Sequence, residues 1–187
     1  MRPTPDVSVV AVVMGVSGAG KSTIGRRLAE RLRWKFKEGD DLHSVENVAK
    51  MRSGQPLTDT DREPWLAAVA AVIDQWRRCG EHGVITCSAL RRAYRLQIVG
   101  ARGNVRLVYL EGSRELIAKR LATRRDHFMP VRLLDTQFAT LEPPGPDENP
   151  ITVDIDAPVD EIIERVVGVL FPSTDSPSSS CNQRRTT

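Results

Sequence analysis

The chain of 187 residues has the length of one domain and an ordinary globular composition, with 40% hydrophobic and 27% charged residues. Its formal net charge of +3 favours anionic ligands, but the concentrated basic stripe of a nucleic-acid-binding surface is missing. The N-terminal apolar run Val7–Met14 is far shorter than the roughly 20 residues that a membrane-spanning helix needs. Cys79, Cys87 and Cys181 have no metal-type spacing, which is typical of a protein in a reducing cytosol. We therefore expect one cytoplasmic domain, residues 1–171, that binds neither nucleic acid nor a membrane.

Short apolar runs alternate with amphipathic segments along the chain, a pattern that predicts a parallel sheet between two layers of helices. The predicted strands are Val7–Met14, Trp34–Phe36, Val84–Cys87, Val105–Leu110 and Ile151–Ile155. Apolar residues at helical spacing occupy the intervals and follow the last strand, around Ile24–Leu32, Trp65–Trp76, Leu116–Leu121, Leu134–Leu141 and Val159–Leu170. The fold class is therefore α/β, with a five-stranded parallel sheet in a three-layer α/β/α arrangement.

The segment after the first predicted strand carries a phosphate-binding motif of the form GxxxxGK[ST]. It reads Gly15-Val16-Ser17-Gly18-Ala19-Gly20-Lys21-Ser22 and is followed by Thr23. Glycines let the backbone curl so that successive N–H groups point at phosphate oxygens, and the dipole of the following helix favours the same anion. Lys21 supplies a charge to the β- and γ-phosphates, and the Ser22 hydroxyl can ligate Mg²⁺. The motif predicts a P-loop NTPase fold with a nucleotide site.

The second predicted strand ends in an acidic cluster, Glu38-Gly39-Asp40-Asp41. Ligands of open parallel sheets bind beyond the carboxyl ends of the strands. A carboxylate there can hydrogen-bond a polyol hydroxyl and take its proton as a phosphoryl group arrives. We favour Asp40 as the catalytic base or hydroxyl orienter, and Glu38 as a residue that helps to hold Mg²⁺ through water. Without the phosphate loop, a solvated acidic turn would explain the cluster equally well.

Two arginines lie at the end of the helix predicted after the fourth strand. Arg120 and Arg124 are four residues apart, so they share one helix face. Such a pair can cover the adenine and the phosphates of a nucleotide, and a guanidinium can neutralise charge that develops during transfer. Arg124 is therefore a candidate catalytic residue, and a solvated basic helix end is the alternative.

The composition changes after Phe171. Residues 172–187 are rich in Ser, Pro and Thr and have almost no apolar side chains. Such a segment cannot bury enough apolar surface to offset the entropy lost on ordering. We therefore expect a disordered C-terminal tail at 172–187.

Six segments, spread in order over roughly residues 8–170, together resemble the gluconokinase family of small P-loop kinases, which are relatives of shikimate and adenylate kinases. The segments are Met14–Thr23, Glu38–His43, Gly54–Leu66, Cys87–Arg95, His127–Pro130 and Gln137–Pro144. The phosphate loop is shared by many families, whereas Cys87–Arg92 and His127–Pro130 are much more specific.

The resemblance implies that the γ-phosphate of ATP is transferred, with Mg²⁺, to the 6-hydroxyl of D-gluconate, a step of gluconate catabolism that feeds the pentose phosphate pathway. It places Asp40 where shikimate-kinase relatives have a substrate-binding carboxylate. It places Arg120 and Arg124 where adenylate-kinase-like enzymes have lid arginines, in a mobile lid at about 122–136. It also implies a substrate-binding helical segment and a homodimer. The residues that it turns toward the substrate are Arg52, Ser88, Arg91 or Arg92, and His127.

Two other functions remain open at this point. A shikimate- or nucleoside-monophosphate-type kinase could use the same scaffold, and a regulatory module could bind ATP without turnover. A pure ATP sensor would need neither the acidic cluster nor the Ser- and Arg-rich end of the third strand, so these features favour a kinase.

Overall fold

A computed structural model describes residues 8–123 and 131–172 and contains a five-stranded sheet within those ranges. The strands are β1 Val10–Met14, β2 Lys35–Lys37, β3 Gly83–Thr86, β4 Val105–Glu111 and β5 Ile151–Asp154. Their order in the sheet is β2-β3-β1-β4-β5, and every neighbouring pair is parallel. The predicted α/β fold class is confirmed.

Helices connect the strands, and a helix lies at each of the predicted apolar repeats. They are α1 Lys21–Leu32, α2 Val45–Arg52, α3 Asp59–Arg78, α4 Arg92–Ile98, α5 Arg114–Thr123, α6 Val131–Thr140 and α7 Val159–Leu170, with 3₁₀ turns at Gly39–Leu42 and Pro146–Glu148. Over the described ranges, none of these helices combines the length and the apolar character needed to cross a bilayer.

The ends of the predicted strands shift by one to three residues. The strand β1 begins at Val10, which pairs with both neighbours, Gly83 of β3 and Val105 of β4, and the predicted start at Val7 lies outside the described residues. The strand β2 begins and ends one residue later than predicted, and β3 one residue earlier. Strand β4 gains Glu111, while β5 ends before Ile155.

Alternation along the buried strand β1 divides the core into two layers. Ala11 and Val13 pack into a cluster with α1, α6 and α7 on one face of the sheet. Val10, Val12 and Met14 pack into a second cluster with α3 and α4 on the other face. All five side chains of β1 have no exposed surface, which explains why the strand reads as a continuous apolar run.

The strand order fixes where a ligand can bind. After β1 the chain crosses to β2, and after β3 it crosses over β1 to β4 on the opposite side. The connections leave the adjacent strands β1 and β3 in opposite directions, so a crevice opens at their carboxyl ends. The phosphate loop follows β1, the acidic cluster follows β2 and Ser88 follows β3. These three groups of predicted site residues therefore converge on this crevice.

Candidate active site

The phosphate-binding motif forms a tight loop between β1 and α1. Gly15, Gly18 and Gly20 have φ angles of 145°, 86° and 96°, a region that side chains with a Cβ rarely adopt. A Cβ on Gly18 would also lie 2.9 Å from Cγ of Leu121. Helix α1 begins at Lys21 without a side-chain hydrogen bond that caps it. Its positive end is therefore a place where an anion can bind.

Two hydrogen-bond donors of the phosphate loop contact oxygen atoms. The Ser17 amide donates to the side-chain oxygen of Gln137 from α6 at 2.7 Å, so an amide of the loop is directed at an acceptor outside it. The Lys21 ammonium donates to the carbonyl of Val16 at 3.1 Å, which keeps its charge beside the loop. These donors fit the phosphate oxygens of a nucleotide.

A cavity of about 260 Å³ lies against the loop and brings the predicted metal residues together. Ser22, Glu38 and Asp40 line it, so one hydroxyl and two carboxylates face the same space. Hard oxygen groups of this kind fit Mg²⁺, which completes its coordination with water and substrate phosphates.

Contacts on both sides of Gly39 hold the acidic cluster in place. The Gly39 amide donates to the Thr86 hydroxyl at 3.1 Å, and the Trp65 indole N–H donates to the Gly39 carbonyl at 2.8 Å. A Cβ on Gly39 would lie 1.9 Å from the carbonyl oxygen of Thr86, so no larger residue fits. The Thr86 hydroxyl also donates to the carboxylate of Glu38. The sheet edge thus fixes the backbone that carries Asp40.

A larger cavity of about 450 Å³ adjoins the loop and contains many of the predicted site residues. Its lining includes Ser17, Lys21, Asp40, Arg52 and Ser88. Three of these, Ser17, Lys21 and Asp40, also line the smaller cavity. The two spaces therefore meet at the loop lysine and the Asp40 carboxylate.

Arg91 and Arg92 are not among the residues that line either of these cavities. Arg91 forms an ion pair of 2.7 Å with Asp59 at the start of α3, and the Arg92 guanidinium pairs with Asp147. Both arginines lie next to an acidic residue that is distant in the sequence, and that neighbour decides where the guanidinium points.

The structure describes one of the two arginines that were predicted to bind the nucleotide. Arg120 donates to the carbonyl oxygen of Ile155 beyond β5 and lines neither cavity. Arg124, His127 and the rest of residues 124–130, which form the middle of the predicted lid, lie outside the described residues.

His43, Arg62 and Trp65 are among the side chains of the larger cavity that were not predicted as site residues. The His43 ring stacks on the Trp65 ring with 4.3 Å between centroids and 13° between planes. Within the described residues, the Nδ1 atom of His43 is buried and has no hydrogen-bond partner. Burial lowers the pKa of His43, so the imidazole is neutral at physiological pH. A spacing of three from Asp40 across a 3₁₀ turn was the signal that could have identified His43.

A buried arginine supports the turn that carries Ser88. Arg95 is only 2% exposed, and its Nη1 donates to the carbonyls of Ala89 and Leu90 at 3.2 Å each. Its charge is paired with Glu148 at 2.6 Å. Ala89 has a φ angle of 44°, a strained conformation that persists only where surrounding contacts impose it. Arg95 provides such contacts and thereby positions Ser88.

Comparisons with known proteins identify similar chains. Residues 10–144 match the model of a family described as an AAA domain. The gluconokinase of Gluconobacter oxydans is 47% identical over 156 residues, which cover 83% of this chain and 88% of that protein. Among solved structures, a gluconokinase from Sinorhizobium meliloti 1021 has a TM-score of 0.78 at 44% identity, covering 88% of this chain and 92% of that one. A sugar kinase from Janibacter sp. HTCC2649 has a TM-score of 0.80 at 44% identity, with 86% and 92% of the chains covered.

Proposed function

The chain belongs to the gluconokinase family, and on this premise we propose that it transfers the γ-phosphoryl group of ATP to the 6-hydroxyl of D-gluconate. The products are ADP and 6-phospho-D-gluconate, which feeds the pentose phosphate pathway. One observation supports the proposal most strongly: Ser17, Lys21 and Asp40 line both the cavity at the phosphate loop and the larger cavity beside it. A hydroxyl bound in the larger cavity can therefore reach a phosphoryl group held on the loop.

The site residues divide the chemistry between them. The amides of residues 15–23 and the Lys21 ammonium hold the phosphates of ATP. The C6 oxygen of the substrate bonds to the γ-phosphorus as the bond to the β,γ-bridging oxygen breaks, and Asp40 takes the hydroxyl proton. Ser22, with Glu38 acting through water, would hold Mg²⁺, which when bound neutralises charge on the phosphates.

Other residues of the site are assigned to the substrate or to the nucleotide. Arg52 and Ser88 line the larger cavity, so we assign both to substrate binding. Arg120 and Arg124 remain candidates for the nucleotide, and His127 for the substrate. The names of the relatives favour gluconate over shikimate or a nucleoside monophosphate, and favour an enzyme over an ATP-sensing module.

A coupled assay of ADP release tests the substrate assignment. Purified protein is given ATP and Mg²⁺ with gluconate, shikimate or a nucleoside monophosphate, and Lys21→Ala protein prepared in parallel reports contaminating activity. We expect kcat/KM for gluconate to exceed that for each other acceptor by at least about a hundredfold, since a site built for one polar pattern rejects others strongly. A preference for shikimate or a nucleoside monophosphate would overturn the assignment, and no turnover with any acceptor would favour the sensing module.

We place the enzyme in the cytoplasm. The thiols of Cys79 and Cys87 are free, which is typical of a reducing compartment. The homodimer implied by the family resemblance stays a prediction.

A further inference from the structure

The larger cavity carries opposite charges on different walls. Asp40 lies where the cavity meets the phosphate loop, and Lys21 lines the same two cavities. Two further cationic side chains, Arg52 and Arg62, also line the cavity but are absent from the lining of the loop cavity. A substrate with a hydroxyl at one end and a carboxylate at the other would match this division of charge.

Arg62 is held in position before any ligand binds. Its side chain is 27% exposed, its Nη1 donates to the Leu57 carbonyl, and its guanidinium carbon lies 5.9 Å from the centre of the Tyr94 ring. In the described part of the chain its Nε and Nη2 donate to no protein acceptor, so two adjacent donors remain for a ligand. A fixed guanidinium of this kind binds a carboxylate through two parallel hydrogen bonds.

The acidic residue that lies 3.9 Å from Arg62 already has other partners that compensate its charge. Asp59 lies 3.9 Å from Arg62, but its two carboxylate oxygens accept hydrogen bonds from Tyr94 and from Arg91. The Tyr94 hydrogen bond, with added effects of Arg91 and Arg62, lowers the pKa of Asp59. Arg91 therefore contributes through Asp59: it compensates this carboxylate and leaves the charge of Arg62 available.

Arg52 is a weaker candidate for the same role. It lies exposed at the end of α2, and within the described residues no hydrogen bond or ion pair fixes its side chain. An exposed, unrestrained arginine loses more side-chain entropy on binding and is screened more by salt. Leu57, Arg62 and Trp65, in contrast, bring the N-terminal end of α3 to the cavity wall, where the helix dipole adds attraction for an anion.

His43 lines the same cavity as the two charged ends and is near enough to both to be affected by their charges. Burial has the largest effect and lowers the pKa of His43. The charge of Asp40 raises this pKa and the charge of Arg62 lowers it, so both charges act on the same ring. The neutral ring stacks on Trp65 and lines the cavity. It can therefore contact the hydroxylated middle of a chain that extends from Asp40 to Arg62.

We propose that Arg62 binds the carboxylate of the sugar acid, so that the substrate extends along the cavity from its carboxylate at Arg62 to its terminal hydroxyl at Asp40. The proposal rests on the proposed gluconate kinase function and adds the residue that selects an acid over a neutral polyol. It also explains why phosphate is added at the end of the molecule opposite the carboxylate.

A comparison of charged and neutral substrates tests the role of Arg62. The proteins compared are wild type, Arg62→Met, Arg62→Lys, Arg52→Met and a matched control, Arg78→Met. Arg78 is an exposed arginine at the far end of α3. Each protein is assayed with D-gluconate and with D-glucitol. D-Glucitol has CH₂OH in place of the carboxylate. In Arg62→Met we expect KM for gluconate to rise by about ten- to a hundredfold, as for loss of a charge-assisted hydrogen bond, with kcat, KM for ATP and the low kcat/KM for D-glucitol unchanged. Arg62→Lys keeps the charge but lacks the planar guanidinium, so its KM for gluconate should rise less than that of Arg62→Met.

The same data contain the outcomes that contradict the proposal. An equal loss of kcat/KM on gluconate and D-glucitol, or a raised KM for ATP, would show that Arg62 only supports the fold. A loss of acid preference in Arg52→Met but not in Arg62→Met would assign the carboxylate to Arg52. Absence of gluconate turnover by the wild type would instead reject the proposed function, which keeps the two failures distinct.

Discussion

We expect Lys21→Ala to abolish turnover while the protein remains folded. The Lys21 side chain lies on the phosphate loop and borders both cavities, so its removal deletes a charge directed at the β- and γ-phosphates. It begins α1 at a half-buried position, where alanine is a good helix former. The measurement is kcat for gluconate together with Tm.

Lys35→Ala is the matched control for this variant. Lys35 lies at the opposite end of strand β2 from the acidic cluster, exposed and paired with Glu81, and exposed pairs contribute little to stability. We expect the control to keep wild-type kcat. If Lys21→Ala kept more than about a tenth of wild-type kcat, a loss below about 1.4 kcal/mol, Lys21 could not have the role assigned to it.

Asp40→Asn should lower kcat with gluconate by at least about a hundredfold, because general bases typically contribute about 10²–10⁴-fold. Asparagine keeps the size and much of the hydrogen bonding but loses the charge and basicity. The affinity for ATP should hardly change, since Lys21, Ser22 and the loop amides hold the nucleotide. Turnover and equilibrium binding of a non-hydrolysable ATP analogue are measured on one preparation.

Asp41→Asn provides the control for Asp40. Asp41 is the next residue, is exposed and paired with Lys37 at 3.6 Å, and lines neither cavity, so its variant should behave as wild type. A collapse of ATP binding with residual turnover in Asp40→Asn would make Asp40 a metal-site residue and Glu38 the better candidate base. Unchanged constants would mean that the acidic cluster is a solvated turn and that the substrate binds elsewhere.

The local parts of the site could be predicted because their signals are contiguous in the chain. The phosphate loop needs glycines and a lysine at fixed offsets, and buried parallel strands read as unbroken apolar runs. The convergence of Asp40 and Ser88 follows from the rule that ligands bind at the carboxyl ends of parallel strands. These predictions required only neighbouring residues and the parallel topology.

The parts that the sequence could not reveal depend on pairs that are distant along the chain. The Gln137 side chain accepts a hydrogen bond from the Ser17 amide although 120 positions separate them in the sequence. Arg92 likewise pairs with Asp147, 55 positions away. Helical periodicity correctly places Trp65 in the core, where it is 3% exposed, but it cannot show that the indole N–H holds the turn carrying Asp40. Arg62 likewise reads as one more surface arginine until its contacts are known.

The position of the phosphate in the product tests the central claim most directly. Wild-type protein is incubated with ATP, Mg²⁺ and D-gluconate, and the product is examined by phosphorus–proton correlated NMR. The orientation with the carboxylate at Arg62 and the terminal hydroxyl at Asp40 predicts a single phosphomonoester whose phosphorus is coupled to the two protons on C6. A phosphate on any other carbon, or ADP formation without a gluconate phosphomonoester, would contradict it.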